Sequence, residues 1–545
     1  MTMNIDNNES SLGIVISGSL SEGIRVRLTN PTTVELVKVG TFVSINGENL
    51  KFFGVITDIS LGASDHNIEY GSIESSNTFV KEVMSGTTTF GEIIVHPMLT
   101  LYNTEDIDTA FEKPLPAKTI PNHFAKVSSA TEQDIERVFG SESDNVFWVG
   151  HPLDMESKLC LNIKELVTRT NGVFGKSGTG KTFLTRLLLI GILQSDSASN
   201  LIFDMANEYG WRGYSENINE VKGLKQLFPS KVAVFSLDET NSKKRGLTPD
   251  YVVKFGLEEI EYGDIAILKD LLNLTDLALD AVYVLEHHYG RKNWLKMFLS
   301  LQGRDSISNI AEKLNFHEGT LISLHNRLSR IHRFNFIDKT QSHQSVEKIL
   351  EYLQRGIHVV LEFGRYEHNA LAYILVTNLI TRRIHQKYVE LTETSFTKNK
   401  KPKPIVITIE EAHRFLTPSI APKTIFGTIA REMRKYNVTL LIVDQRPSSI
   451  DGEIMSQIGT KFACLLDNEK DVDAVLTGVH GSRKLRSVLA SLDSKQQALI
   501  FGHSLPMPVV IKTREYGTPE SYRSFGISNK QDQIEIDREE LFGEN

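Results

Sequence analysis

The sequence predicts an α/β fold in which a mostly parallel sheet follows a small N-terminal β-barrel and is interrupted by a helical insertion. Three observations predict it. Short apolar strands punctuated by glycine fill the first hundred residues, and further along strands alternate with helices. One long stretch, residues 249–352, shows helical spacing without a clear strand. The length of 545 residues exceeds what one compact core accommodates, which predicts about three structural units.

The barrel is predicted from several short strands between residues 12 and 62 and one more near Gly91–Leu101. Asn46-Gly47, between two of these strands, is a strong signal for a hairpin turn. We assign residues 1–105 to the barrel. Residues 106–160 are assigned to a connector, because their prolines oppose regular structure.

Residues 161–248 and 356–515 are predicted to form the α/β core, since alternating strands and helices imply right-handed βαβ crossovers. Residues 249–355 are assigned to the helical insertion and residues 516–545 to a polar, acidic C-terminal tail. Ligands of such sheets bind beyond the carboxyl ends of the strands. We therefore expect one site to unite the polar residues that follow several strands, namely the glycine-rich loop described next, Asp204, Glu410, Glu411 and Gln445.

A glycine-rich segment, Gly175–Thr182, lies between a short apolar strand and an apolar helix. It fits G-x-x-x-x-G-K-[ST] at every fixed position, and this context is the one that a phosphate-binding loop needs. Glycines let successive N–H groups point at one anion, and the helix adds its positive end. Lys181 is expected to reach the β- and γ-phosphates of ATP, and Thr182 to ligate Mg²⁺. The alternative is a glycine-rich turn that binds nothing. The predicted nucleotide ligands are Gly175, Lys176, Ser177, Gly178, Thr179, Gly180, Lys181, Thr182 and Phe183.

An acidic pair, Glu410-Glu411, ends the apolar run Ile405–Ile409. One carboxylate is expected to hold the Mg²⁺ shell and the next to polarise the attacking water. This makes Glu410 the metal-side group and Glu411 the general base. The alternative is a pair of solvated carboxylates at a strand end.

Phosphoryl transfer also needs cations near the developing negative charge, often an arginine from a neighbouring subunit. Arg431 and Arg434, near a predicted helix end, are the candidates, although each alone is as consistent with a solvated face or an ion pair. Gln445, on the tip of the adjacent strand, can orient water or sense the γ-phosphate.

These residues resemble those of the HerA-type, FtsK-related hexameric translocases. The likeness rests on GKSGTGKT at 175–182, FDMANEYG at 203–210, IEEAHRFL at 409–416, AREMRKYNVTLLIVDQRPSSID at 430–451, SLPMPVVIK at 504–512 and the barrel pattern. The resemblance implies a RecA-like P-loop NTPase core with ATP and Mg²⁺ as cofactors.

By the same resemblance, Lys181 and Thr182 are phosphate and Mg²⁺ ligands, Glu411 is catalytic and Gln445 senses nucleotide. Arg434 is then the finger that acts in the neighbouring subunit, with Arg431 second. The acidic positions of the D-x-x-x-E-Y element are Asp204 and Glu208. The sequence departs from the family pattern in Glu410, where aspartate is usual, and in Met433, where glycine is usual.

Members of this family form six-membered rings that move double-stranded DNA and commonly work with a nuclease of the NurA type, or stand beside sirtuin-like effectors in antiphage defence. The leading hypothesis is an ATP-driven, ring-forming double-stranded DNA translocase or helicase, the motor of a nuclease or defence complex. The alternative is an ATP-binding ring scaffold that assembles and gates an effector enzyme with little translocation. A motor for protein or conjugative DNA export is a third possibility.

Composition limits these hypotheses only loosely. The net charge of −8 argues against a uniformly basic surface for nucleic acid but allows a local basic channel. Two cysteines and the lack of a long apolar run predict a cytoplasmic protein without a membrane segment. The candidate DNA-contacting stretches are Lys243–Arg245, Lys398–Lys403 and Arg483–Arg486, each of which is also consistent with an ordinary solvated face.

Overall fold

The computed structural model describes residues 11–29, 32–63, 89–102, 113–214, 220–338, 344–398, 402–478, 482–493 and 495–526. The chain folds into two compact units. The first comprises residues 1–166, 174–181 and 459–514, and the second comprises residues 167–173, 182–458 and 515–545. Residues 64–88 of the predicted barrel, most of the predicted tail, and residues 399–401 of one basic stretch lie outside the described residues.

The first unit begins with the predicted barrel, a six-stranded sheet that closes because Gly23–Leu28 pairs with both Ser11–Ser19 and Thr89–Tyr102. Its interior is aliphatic, with Val26, Val43 and Ile56 fully buried. The six strands, in their order around the barrel, are Gly23–Leu28, Ser11–Ser19, Lys126–Ser129, Phe42–Asn46, Leu50–Ala63 and Thr89–Tyr102. Leu115–Pro116 adds a short seventh strand beside Thr89–Tyr102.

The strand Lys126–Ser129 was not predicted, because it lies in the segment that we assigned to the connector. It pairs antiparallel with Ser11–Ser19 on one side and with Phe42–Asn46 on the other. Four residues are too short for a periodic signal, so long-range pairing rather than local pattern defines this strand.

The first unit also contains five strands that pair antiparallel, whereas we expected mostly parallel strands. Its pairing order is Thr460–Ala463, Gln497–Gly502, Val509–Thr513, Val146–Pro152 and Leu159–Asn162. The connection between Gln497–Gly502 and Val509–Thr513 is too short for a parallel crossover, which forces a hairpin. The described helices of this unit are Glu132–Phe139, Ile163–Leu166, Glu469–Leu476 and Ser482–Ala490.

The second unit contains the predicted parallel sheet. Its strands pair in the order Tyr251–Val252, Val232–Ser236, His358–Glu362, Ser199–Asp204, Ile405–Glu410, Val438–Asp444 and Asn171–Phe174, and the first six run parallel. Central strands such as Ser199–Asp204 are buried along their whole length, as both faces of a helix-covered parallel sheet require. This part of the fold prediction is confirmed.

Helices surround this sheet and fill the predicted insertion. They are Lys181–Ser195, Leu224–Leu227, Glu239–Lys244, Tyr262–Ala266, Asp276–Tyr289, Trp294–Leu299, Gly303–Lys313, Glu318–Leu328, Ser345–Gln354, Ala370–Lys398, His413–Leu416, Ile425–Glu432, Gly452–Gln457 and Pro519–Ser524. Two unpredicted two-residue strands, Phe255–Gly256 and Ile337–Asp338, pair within the insertion. A hairpin joins Arg212–Tyr214 to Glu220–Lys222. Among the described residues, no helix is both long and apolar enough to cross a bilayer.

Buried ion pairs attach the insertion to the long helix Ala370–Lys398. The Arg382 guanidinium lies 2.8 Å from an Asp264 carboxylate oxygen and 2.7 Å from one of Glu261. The Asn378 amide donates to Asp264 at 2.8 Å. Burial raises the pKa of Asp264, and the charge of Arg382 opposes that rise. These buried polar contacts fix the insertion to the α/β core. They stabilise the fold only while each buried charge keeps its partner.

Candidate active site

The glycine-rich loop Gly175–Thr182 follows the buried strand Asn171–Phe174, as the motif requires. A Cβ at Gly175 would lie only 2.7 Å from Cβ of Cys464, so no other residue fits that position without displacing its neighbour. Gly178 and Gly180 have left-handed φ values of +79° and +90°, which glycine adopts without strain.

The loop is organised around the carbonyl of Lys176. The Lys181 ammonium donates to this oxygen at 2.6 Å and the Thr179 hydroxyl at 2.7 Å. The Lys176 N–H donates to the Leu465 carbonyl at 3.0 Å, and its ammonium pairs with Asp467. Lys176 therefore ties the loop to the segment after Thr460–Ala463.

Two observations indicate that a phosphate group fits this loop. The space where a Cβ of Gly178 would stand holds no atom within 4 Å, and the fifteen-residue helix Lys181–Ser195 begins at the lysine of the motif. A helix N-terminus with a glycine-rich approach presents N–H groups and a positive dipole to an anion.

In the second unit, Asp204 ends its strand and organises the acidic turn, which we define as Asp204–Gly210. Its carboxylate is fully buried and accepts the N–H groups of Glu208, Tyr209 and Gly210 at 2.7, 2.8 and 3.0 Å. Burial raises the pKa of Asp204, and these three N–H groups counter the rise. Asp204 thus shapes the turn from within, and Glu208 has its own pKa raised, first by burial and then by the charge of Asp204.

Glu410 ends the adjacent strand and is held by two tyrosines. The Tyr209 hydroxyl donates to a Glu410 carboxylate oxygen at 2.9 Å. The Tyr373 hydroxyl donates to the Glu410 carbonyl at 2.9 Å and accepts its N–H at 3.2 Å. Burial, followed by the charge of Asp204, raises the pKa of Glu410 to about 8. A carboxyl group with such a pKa favours its neutral form unless a cation is nearby.

Glu411 follows directly and adopts a left-handed backbone, with φ of +50°. The Gln445 amide donates to both of its carboxylate oxygens, at 3.2 and 3.4 Å. The structure therefore brings together Glu411 and Gln445, as we predicted. A left-handed glutamate is uncommon and occurs where surrounding contacts impose it.

His413 and Asp444 complete this cluster. The His413 N–H donates to Asp444 at 2.7 Å, and ring Nδ1 lies 3.0 Å from the same oxygen. The bond with Asp444 raises the pKa of His413. Parallel register pairs Glu410 with Val443, which places Asp444 level with Glu411. That register is the signal by which Asp444 could have been found.

Arg245, from a predicted DNA-contacting stretch, instead supports the acidic turn. Its guanidinium lies 3.0 Å from Glu362 and donates to the Asn207 carbonyl at 2.7 Å. Glu362 is fully buried, and burial, followed by the charge of Asp204, raises its pKa to about 8.

Arg186, which sequence reasoning missed, is a buried cation on the helix Lys181–Ser195. It donates to the Glu208 carbonyl at 2.6 Å and lies 5.3 Å from the ring centroids of Phe183 and Tyr516. Such cation–π contacts stabilise a buried charge. A charged residue inside an apolar helix is the signal that could have identified it.

The two predicted finger arginines lie near the end of Ile425–Glu432. Arg431 is half-buried, and its Nε lies 3.6 Å from a carboxylate oxygen of Glu453. Arg434 belongs to the short 3-10 segment Met433–Tyr436, but its side chain, like that of Met433, lies outside the described residues. Their roles, and the convergence of Lys181 with Glu411, stay predictions.

Glu410 and Thr182 are the predicted Mg²⁺ ligands, and oxygen donors of this kind suit that ion. The raised pKa of Glu410 fits a site that gains from a cation, because a bound divalent ion would favour the carboxylate form.

A parallel sheet, a phosphate-binding loop that opens a helix, and a glutamate pair at a strand end together define a P-loop ATPase. Two family profiles match the chain, "Helicase HerA, central domain" over residues 147–384 and "HAS barrel domain" over residues 12–95. Together these matches span more than half of the chain, and they agree with the resemblance to the HerA family drawn from its motifs.

Two proteins named as HerA helicases are similar to this chain over most of its length. The DNA double-strand break repair helicase HerA of Saccharolobus solfataricus is 23% identical over 505 residues, which cover 92% of this chain and 91% of that protein. The protein of the same name from Pyrococcus furiosus is 22% identical and covers 71% and 72%. A solved structure of the bacterial conjugative coupling protein TrwB is 12% identical, with a TM-score of 0.46 over 71% of this chain and 94% of that chain.

Proposed function

We propose that this chain is an ATP-driven double-stranded DNA translocase or helicase that acts as a hexameric ring. The observation that carries the proposal is the similarity, over nine-tenths of the chain, to a protein named as a DNA repair helicase. The phosphate loop and the glutamate pair that ATP hydrolysis needs are both present in this chain. A cytoplasmic location is part of the proposal and is supported by two buried thiols that form no disulfide.

Each site residue has a role in this proposal. Bound Mg²⁺–ATP would supply the phosphoryl group whose hydrolysis drives movement. Lys181 and the loop N–H groups would bind phosphate oxygens, while Thr182 and Glu410 would hold the metal ion. Glu411 accepts the proton of the attacking water, and Gln445 orients its carboxylate. Arg434, with Arg431 second, would act on the neighbouring subunit's nucleotide.

DNA contact is proposed from the relatives rather than from the basic stretches, because several described cations of those stretches already have partners. Lys243 lies 2.6 Å from Glu239, and Lys403 lies 2.5 Å from Asp196. Arg486 pairs with Asp473, and the Lys484 ammonium lies 2.7 Å from His96 Nδ1. Phosphate tracking without base recognition then depends on cations that the assembled ring presents.

A second candidate function is the ring scaffold that assembles and gates an effector enzyme. Glu410, which stands where aspartate is usual, and the net charge of −8 leave room for this function. In either form, we propose a nuclease or another effector, NurA-like or sirtuin-like, as partner and antiphage defence as the setting.

The two candidates differ in how ATP turnover responds to DNA. We expect linear duplex DNA to stimulate the wild-type rate, and the stimulation to fade as salt rises, because phosphate contacts release counterions. Lys181→Ala should abolish turnover. A DNA-independent slow rate in a ring that still captures an effector would favour the scaffold, and unchanged turnover in Lys181→Ala would refute the ATPase assignment. Mass photometry of the same samples measures the mass of the assembly and therefore its number of subunits.

A further inference from the structure

His413 connects two carboxylates through its two ring nitrogens. On one side, Asp444 is fully buried and accepts the N–H groups of His413 and Arg446 at 2.7 and 2.6 Å. Because Asp444 acts as an acceptor for both groups, it also accepts from ring Nδ1, 3.0 Å away. The contact with Asp444 assigns a proton to Nδ1, and Nε2 lies on the opposite side of the ring, toward Glu411.

On that other side, Nε2 lies 3.6 Å from a carboxylate oxygen of Glu411. This distance exceeds that of a hydrogen bond, and the contact is an ion pair when the imidazole carries a second proton. The same carboxylate accepts a hydrogen bond from the Gln445 amide at 3.2 Å, and the Glu411 backbone has a left-handed φ of +50°. Glu411 is therefore held from two directions in a conformation that it would not adopt unaided.

We propose that His413 is a positioning residue for Glu411: anchored by Asp444, its imidazole keeps the Glu411 carboxylate where it can activate the attacking water. The inference rests on the proposed ATPase function. Misplacing a catalytic group by about 1 Å lowers turnover by roughly a hundredfold, which is the scale on which such a contact matters.

The competing explanation is that His413 only stabilises its turn through Asp444. Amide substitutions separate the two, because the asparagine amide nitrogen stands near the position of Nδ1 and the glutamine amide nitrogen near that of Nε2. His413→Asn thus keeps a donor for Asp444, and His413→Gln keeps a donor for Glu411. The positioning role predicts that glutamine retains more activity, and the structural role predicts the reverse.

The kinetic test measures kcat and KM for ATP in the full-length protein. We expect His413→Asn to lower kcat by about 10- to 100-fold with KM changed less than about twofold, and His413→Gln to recover part of the loss. His368→Asn, at a side chain 95% exposed, is the matched control and should match wild type. Wild-type kcat in His413→Asn, or a lower kcat in His413→Gln than in His413→Asn, would overturn the inference.

A second measurement does not depend on turnover. Without nucleotide, we compare the melting temperatures of His413→Asn, Glu411→Gln and the double variant. If the two side chains interact, the shift in the double variant differs from the sum of the single shifts; additive shifts would overturn the contact. Should wild type and Lys181→Ala hydrolyse ATP equally, the proposed function fails, whereas this cycle still decides whether His413 holds Glu411.

Discussion

At the scale of single residues, the phosphate loop depends on the close approach of Gly175 and Cys464. We expect Gly175→Ala to weaken binding of a fluorescent ATP analogue at least about tenfold, because the added Cβ lies 2.7 Å from Cβ of Cys464 and displaces the loop. Gly263→Ala is the control, since a Cβ there meets no atom within 4 Å on a helix. That variant should bind normally and gain up to about 1 kcal/mol of stability. Equal binding by both variants would show that the loop accommodates the methyl group.

Glu362 makes the stability of the second unit depend on pH. Its pKa in the folded protein is raised to about 8, above its ordinary value of 4.5, mainly by burial and then by the charge of Asp204. The folded state therefore binds this proton more tightly than the unfolded state does. The stabilisation is complete below about pH 4.5 and is lost as pH rises through 8.

The variant Glu362→Gln should remove this dependence, because glutamine resembles the protonated acid. Relative to wild type, its free energy of unfolding should rise between pH 5.5 and 8.5 by an amount on the order of 1–3 kcal/mol. Urea unfolding at several pH values measures the difference, and Glu351→Gln, on the surface of Ser345–Gln354, should show no such trend. A pH-independent difference would mean that Glu362 is already ionised when folded.

At the scale of elements, the attachment of the insertion to Ala370–Lys398 depends on one arginine more than on its neighbour. Arg382→Met should cost about 3–5 kcal/mol of stability, because it leaves Asp264 and Glu261 without their buried cation. Arg383→Met should cost at most about 1 kcal/mol, since its contacts with Glu259 and Glu347 are longer, at 3.4 and 3.7 Å. Hydrogen exchange across the insertion would locate the loss. Equal losses would show that the network is not centred on Arg382.

Periodicity predicted the elements whose residues carry a local signal. The parallel strands Ser199–Asp204 and Ile405–Glu410 and the helix after the phosphate loop follow from apolar runs and the loop motif. The strand Lys126–Ser129 did not, because partners far away in sequence define it. The antiparallel direction of the strands in the first unit was not predicted for a related reason, since strand direction depends on connections rather than on composition.

The candidate site divides in the same way. Glu410, Glu411 and Gln445 follow strands, so their proximity was predictable from topology. To place Asp444 and His413 beside Glu411, one must know the register between two strands, and the sequence alone does not determine it. The left-handed φ of Glu411 and the bond from Tyr209 to Glu410 arise from tertiary contacts alone.

At the scale of the whole molecule, the proposed ring makes a claim about which subunit supplies the arginine. A Glu411→Gln subunit lacks the base but keeps Arg434, and an Arg434→Ala subunit lacks the finger but keeps the base. If Arg434 acts on the neighbouring subunit, an Arg434→Ala site beside a Glu411→Gln subunit has every group it needs.

Mixing the two inactive variants should therefore restore ATP turnover. With equal amounts and random exchange around a closed ring, about one interface in four combines an intact base with an intact finger, so we expect up to roughly a quarter of the wild-type rate. Separate pre-formed rings that cannot exchange subunits are the control and should stay inactive. No recovery after verified exchange would place Arg434 in its own subunit's site or outside catalysis. If turnover recovers when Arg431→Ala replaces Arg434→Ala in the mixture, Arg431 is the finger.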